Sequence, residues 1–454
     1  MLRTRSILHD QKKITLLPED KEFNHKNTYT VVIGKNGVGK SRLLASIIKN
    51  RLGTPYSGIN LDFPGLHRDV YFDALVLAVS TSPFDKFPSP RNKHSNLYVP
   101  YRYVGMRGEG MFSASSAISL ISSASKGLLE KTIRGINNAN FLEVFSALSF
   151  EPNVNFILKP NFERFDEEAV VQEKSDRHFF VYTSDGQRFV LDQRYKPLLE
   201  RLDSEELDEI SYAMSNVADY LFDKKAISLR IDFLSNEFYL NNQAASGRII
   251  YSLKRLLDTN FIRIMDLRLT KEAYGELNLR TASSGEQCLM VMMLGIAGYI
   301  EDGSLILIDE PEISLHPRWQ EEFMNLLSTA FSGYKDCHFI IATHSPQIVS
   351  RLNDENSYVY SLTKERLYEA SDFNNKSADY QLAELFDAPG LMNEYVTRLC
   401  FNLIAKLKAH KGSHSEFSSD MNKLLELKEK IQDTDPTVGL IESVSELYNY
   451  YANN

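Results

Sequence analysis

Residues 31–44, Val-Val-Ile-Gly-Lys-Asn-Gly-Val-Gly-Lys-Ser-Arg-Leu-Leu, run an apolar strand straight into a glycine loop and then a helix. Gly34, four further residues and then Gly39-Lys40-Ser41 make the P-loop spacing. Each residue type has a task in it. Glycines let backbone N–H groups turn inward on β and γ phosphates, Lys40 supplies a mobile positive charge, and Ser41 offers a hydroxyl to Mg²⁺. The opening of the helix adds its positive dipole end. Gly34, Asn36, Gly37, Val38, Gly39, Lys40, Ser41 and Arg42 are therefore the candidate set for holding the phosphates of ATP, and Lys40 is also a candidate catalytic residue.

A second apolar run, Leu305-Ile306-Leu307-Ile308, ends in Asp309-Glu310-Pro311-Glu312. It reads as a buried strand delivering two carboxylates to the edge where a doubly wound sheet holds its ligand. Two ionised acids there need a cation or a reacting water. Downstream of a P-loop, Asp309 is expected to support the Mg²⁺ shell with Ser41, and Glu310 to orient or deprotonate the water attacking the γ phosphate. Ser283-Ser284-Gly285-Glu286-Gln287 begins a strongly apolar helix. It offers unpaired N–H groups to an anion, or is simply an N-cap with a capping-box-like Gln287. His344, directly after the strand His338 to Ile341, is a candidate γ-phosphate sensor, although a histidine at a strand end also serves structural roles.

With 454 residues, 43% of them hydrophobic, the chain can bury a sizeable core and form two or three lobes. No stretch approaches the roughly 18 apolar residues that span a bilayer, and Met-Leu-Arg-Thr-Arg-Ser at the start lacks the apolar run of a signal peptide. The three scattered cysteines, Cys288, Cys337 and Cys400, supply neither a disulfide framework nor a paired metal motif. The expected setting is the reducing cytoplasm, with no membrane partner. A net charge of −9 argues against a generally basic coat. A local patch remains: Lys86, Arg91, Lys93, Arg102 and Arg107 interleave with Tyr98, Tyr101 and Tyr103, a composition that suits DNA as well as a solvated loop over a tyrosine-rich strand.

The order of elements predicts an α/β nucleotide-binding half over residues 1–110, a mixed helical and stranded insertion over 111–225, a second ATPase half over 226–362, and a helical assembly or partner-binding region over 363–454. Within the insertion, 112 to 148 reads as one or two helices, Val154 to Lys159 as a strand, and His178 to Asp192 as a hairpin. Helices are expected near 203–222 and 247–258. No sustained heptads point to a long coiled coil.

The four motifs in this order, the P-loop, Ser-Ser-Gly-Glu-Gln, Leu-Ile-Leu-Ile-Asp-Glu-Pro and Ala-Thr-His-Ser, resemble those of the ABC-type ATPases over about residues 1–110 and 225–362. The resemblance implies an ABC-type head with a mixed sheet that binds ATP and Mg²⁺, and two heads that sandwich the nucleotide. By it, Gly34, Gly37, Gly39, Lys40 and Ser41 match Walker A, Ser284 and Gly285 the signature, Asp309 and Glu310 Walker B, and His344 the switch histidine. Lys40 of one copy would face Ser284 and Gly285 of another. Glu286 stands where the commoner signature has glycine, and no glutamine follows the strand ending at Ser80, where Asp85 or Ser82 is left to take that place. Asp-Glu-Pro-Glu-Ile-Ser-Leu-His-Pro with Trp319-Gln320, and Thr-His-Ser-Pro-Gln, look like the RecF-related and OLD-type branch. An OLD protein would carry a Toprim nuclease after the switch histidine; with 110 residues there, and Asp433-Thr434-Asp435 after a helix and not a strand, that nuclease is expected to be absent from this chain. Ser80 to Pro88 also looks like the Septu-type defence ATPase PtuA, which is found with an HNH nuclease and beside some retrons. The expected function is thus an oligomeric defence ATPase governing a separate HNH-type nuclease. A RecF-like repair ATPase that binds DNA directly and a non-hydrolysing scaffold are the alternatives.

Overall fold

The computed structural model describes residues 3–52, 75–88, 101–107, 116–135, 139–165, 178–183, 186–221, 225–271, 274–352, 355–409 and 414–452. Arg91, Lys93 and Tyr98 of the basic segment lie outside the described residues.

At the centre stands a seven-stranded sheet in the order Arg366–Glu369, Ser357–Ser361, Thr28–Ile33, His338–Ala342, Leu305–Asp309, Val76–Ser80 and Tyr101–Gly105. All neighbours run parallel except the antiparallel edge pair Ser357–Ser361 and Arg366–Glu369. Parallel strands covered on both faces need apolar side chains at every position rather than at alternate ones. Val31, Val32 and Ile33, and Leu305 to Ile308, are accordingly all buried. Register sets where the strands end: Asp309 pairs with both Ala342 and Ser80, and Ala342 pairs with Val32. The ends are therefore almost level, and Gly34, Glu310 and Thr343 leave the sheet side by side.

A second, antiparallel sheet has the order Gln243–Ala244, Glu237–Leu240, Ile227–Asp232, Asn153–Pro160, Ile262–Lys271 and Gly275–Asn278. Its alternating burial in Asn153–Pro160 and Ile227–Asp232 is that of a sheet with one face on the core. Asn153–Pro160 sits in the middle of it, between strands from beyond residue 225. The sheet thus draws on both sides of the 225/226 division read from the sequence. The central sheet likewise crosses 362/363, because Arg366–Glu369 is its edge. The part of the expected insertion whose strands join neither sheet is smaller than residues 111–225, and it shares one buried core with the second sheet through Phe189, Leu191, Ile210 and Met214. It comprises the three-stranded sheet Phe162–Arg164, Arg188–Asp192 and His178–Tyr182, with the helices Lys196–Leu199 and Ser204–Ala218.

The helix Ser284–Tyr299 is apolar all round, and Cys288 through Gly298 are buried, as a helix enclosed by its neighbours must be. Its glycines allow the close approach. A methyl on Gly298 would fall 2.4 Å from the Leu128 nitrogen of the helix Ser116–Ile133. One on Gly295 would fall 2.5 Å from Val104 in the central sheet. Helices Ala378–Glu384, Glu394–Lys408, His414–Lys428 and Pro436–Ala452 form a C-terminal bundle with its own core, including Val396, Cys400, Leu403, Leu424 and Val444.

Candidate functional site

The P-loop strand ends at Ile33, and six residues separate it from the helix Lys40–Leu52. Gly37 and Gly39 take φ of +77° and +107°, where a side chain would be strained, and a methyl on Gly34 would meet Val38 Cγ1 at 2.8 Å. Two of the motif's glycines are thus required by backbone geometry, and Gly34 by the close packing of the Val38 side chain. Lys35, Asn36, Gly37 and Val38 are exposed, as is Arg42, whereas Lys40 is buried. Lys40 Nζ donates to the Gly34 carbonyl at 3.1 Å and rests against the imidazole of His344, 3.2 Å from Nδ1.

Ser41 Oγ donates to Asp309 Oδ1 at 3.1 Å. Two hard oxygen donors this close suit Mg²⁺, which takes one or two protein ligands and completes its shell with water and phosphate oxygens. The state of Asp309 points the same way. It is 2% exposed, and burial, opposed by the Ser41 hydrogen bond and reinforced by the nearby charge of Glu310, pushes its carboxyl up to about 7. A buried acid so strained by its own charge is one that a cation relieves. Ser41 and Asp309 would hold such an ion, and the ion would neutralise phosphate charge.

Glu310 has φ of +50°, its N–H donates to the Ala342 carbonyl at 2.9 Å, and its Oε1 lies 3.8 Å from His344 Nε2. Burial, followed by the charge of Lys40, lowers His344 to about 4. Its ring is therefore neutral at physiological pH and can donate or accept. Burial lowers Lys40 too, while Glu310, Glu312 and Asp309 counter by favouring its charged form.

Lys40, Ser41, Asp309, Glu310 and His344 thus converge on one edge of the central sheet. Ser284 and Gly285 do not join them: among the described residues no hydrogen bond links either to the P-loop, and Ser284 is exposed. Gly285 packs instead on the loop after Glu310, where a methyl would fall 2.9 Å from the Ser314 carbonyl. The capping box at this helix is made by Glu286, not by Gln287 as read from the sequence. Ser283 caps the helix, and the Glu286 carboxylate accepts from Ser283 N at 3.2 Å and from Ser283 Oγ at 2.6 Å. Gln287 donates to the Leu279 carbonyl at 3.0 Å. The departure from glycine at 286 thereby has a local cause, since N3 of a helix rewards a carboxylate.

Asp85 and Ser82, the candidates for the missing glutamine, are engaged elsewhere. Asp85 accepts from Tyr103 Oη at 2.8 Å, from Phe87 N at 3.0 Å and from the Arg107 guanidinium. Ser82 Oγ accepts from Phe84 N at 3.2 Å. The same ion pair removes Arg107 from the basic segment as a free phosphate contact, and Arg102 lies over the Tyr299 ring at 5.8 Å. Sequence reading missed Glu312 and Thr343, which bind each other beside the site. The third acid in Asp-Glu-Pro-Glu was the available signal.

Residues 143–350 match the family described as "AAA domain, putative AbiEii toxin, Type IV TA system". The match spans Ser284, Asp309, Glu310 and His344 and begins after the P-loop. The chain is 30% identical over 94 residues to the Retron Ec83 probable ATPase of Escherichia coli, covering 18% of this chain and 17% of that protein. It is 24% identical over 180 residues to the Retron Vc95 probable ATPase of Vibrio cholerae serotype O1 biovar El Tor, covering 36% and 33%. It is 31% identical over 93 residues to Protein ea59 of Escherichia phage lambda, covering 20% and 18%. It thus spans no more than a third of these curated relatives. Among solved structures, the SMC head domain from Thermotoga maritima matches with a TM-score of 0.18 and 14% identity over 30% of this chain and 64% of that one. No helix among the described residues is long and apolar enough to cross a membrane.

Proposed function

We propose that this chain binds ATP with Mg²⁺ at the edge of the central sheet and hydrolyses it to ADP and phosphate. It does so as one head of a self-associating assembly that governs a separate nuclease in cytoplasmic anti-phage defence. The observation that carries the hydrolytic part is the convergence of Lys40, Ser41, Asp309, Glu310 and His344. The P-loop amides and the Lys40 ammonium bind the phosphates and draw off their charge. Glu310 takes a proton from the attacking water as the oxygen bonds to the γ phosphorus and the bond to the β-phosphate oxygen breaks. His344, neutral and beside both Lys40 and Glu310, orients the water or a γ oxygen through its ring nitrogens.

Similarity to two retron probable ATPases supports the defence setting, and the Septu-like stretch Ser80 to Pro88 supports an HNH-type partner. The exposed Ser284 supports completion of the site by a second copy. Turnover by purified protein, set against the Glu310→Gln variant, tests the chemistry. Co-expression with the product of the adjacent reading frame, followed by size measurement with and without ATP, tests the assembly. A protein that neither associates with itself nor retains that product refutes the assembly reading.

A further inference from the structure

We infer that Glu312 is a positioning residue whose carboxylate clamps the Thr343–His344 turn and thereby sets the His344 imidazole between Lys40 and Glu310; the inference rests on the hydrolytic reading above. Glu312 lies on a loop bracketed by two non-glycine residues of positive φ, Glu310 at +50° and Ser314 at +67°. Conformations so seldom adopted persist only when the surroundings demand them. Here the demand is visible. Glu312 Oε2 accepts from Thr343 Oγ1 at 2.8 Å, and Oε1 accepts from the His344 backbone N–H at 2.5 Å.

The turn is held from its other end as well. Thr343 Oγ1 accepts from Ser345 N at 2.9 Å, and Ser345 Oγ donates to Gln320 Oε1 at 2.7 Å. Gln320 Nε2 returns to the Leu315 carbonyl at 3.0 Å. The loop 311–316 and the turn 343–345 are therefore one hydrogen-bonded unit. At its far side the Ser314 carbonyl meets Gly285 at the start of the helix that carries Ser284.

Both contacts to Glu312 come from donors, and its two oxygens serve one each. Only a group with two acceptors can make both. Glutamine offers one acceptor and would aim its amide at the other donor. This separates Glu312 from Glu310, which faces the His344 ring 3.8 Å away rather than its backbone.

The test uses the full chain and the variants Glu312→Gln, Glu312→Ala, His344→Ala and Glu312→Gln/His344→Ala. Glu312→Gln is expected to lower kcat about 10- to 100-fold, the range for one or two hydrogen bonds to a charged group. KM should move less than about threefold. In the His344→Ala background the same change should cost less than about twofold, because the clamp then has nothing to aim. Equal losses in both backgrounds overturn the positioning role.

Amide exchange at residue 344, read by mass spectrometry on unreacted protein, needs no turnover. It should quicken at least about tenfold in Glu312→Ala, and unchanged exchange overturns the clamp. Wild type no faster than Glu310→Gln refutes hydrolysis and, with it, the catalytic consequence, while the exchange result still decides the clamp.

Discussion

Replacing Asp309 by asparagine should stabilise the protein when nucleotide and metal are absent, while weakening its response to them. Burial lifts the Asp309 carboxyl from 3.8 to about 7, and at 1.36 kcal/mol per pH unit the gap is about 4 kcal/mol. The group is 2% exposed, so solvent screening takes little from this figure. Because the folded value lies above the unfolded one, the folded state holds a proton that the unfolded chain has released. The advantage is whole below pH 3.8 and lost as pH rises to about 7. Asparagine keeps an oxygen for the Ser41 hydroxyl and carries no charge, so it escapes this loss.

In a chelating buffer at pH 8, Asp309→Asn is therefore expected to exceed wild type by about 4 kcal/mol. At roughly 2.1 cal/mol/K per residue, 454 residues unfolding together give about 1 kcal/mol per degree, hence a Tm about 4 °C higher. At pH 5 the difference should shrink to less than half of that. Adding Mg²⁺ and ATP should raise the Tm of wild type more than that of the variant, which keeps the P-loop and Lys40 but lacks the carboxylate for the metal. Differential scanning calorimetry over pH 5 to 8 reads all three. A variant no more stable than wild type at pH 8, or a difference constant with pH, refutes a buried, charge-strained Asp309.

Other substitutions separate the remaining parts. Lys40→Ala should abolish ATP binding in equilibrium dialysis, whereas Glu310→Gln should bind ATP and turn it over at least about 10²-fold slower, as expected of a general base. Ser284→Arg should suppress both turnover and self-association in light scattering; activity and size unchanged together would remove the second copy from the site. Gly285→Ala introduces a methyl 2.9 Å from the Ser314 carbonyl. It should cost about 1–3 kcal/mol by denaturation despite alanine's higher helix propensity. Arg107→Ala strips the fully buried Asp85 carboxylate of its ion-pair partner and should destabilise by about 3 kcal/mol. A loss of DNA retention in that variant therefore speaks for DNA contact only if its melting curve is unchanged.

Much of the site was legible in the chain because its chemistry is written locally. A strand entering a glycine loop and then Lys40-Ser41 needs no distant residue to be read, and the backbone angles of Gly37 and Gly39 come from that local turn. Leu305 to Glu310 is similar: an aliphatic run and two acids state a buried strand and its polar end within six residues. Helix Gly247–Asp258 fell where its periodicity put it, since one apolar stripe every 3.6 residues is a local signal.

What the sequence could not decide depends on register and packing between residues far apart. Asn153–Pro160 looked like part of an insertion, and only its pairing with Ile227–Asp232 and Ile262–Lys271 makes it the middle of a sheet. Asp85 could be a metal contact or an ion-pair partner until Arg107 closes on it across 22 residues. Glu312 has no role legible in its local sequence, and only the tertiary fold brings Thr343 and His344 onto its oxygens across 31 and 32 residues. The sequence by itself determined which groups could handle a nucleotide, because that capacity resides in side-chain type and short spacing. The tertiary structure decided which of them face one another, because strand register and close packing set distances that spacing along the chain does not contain.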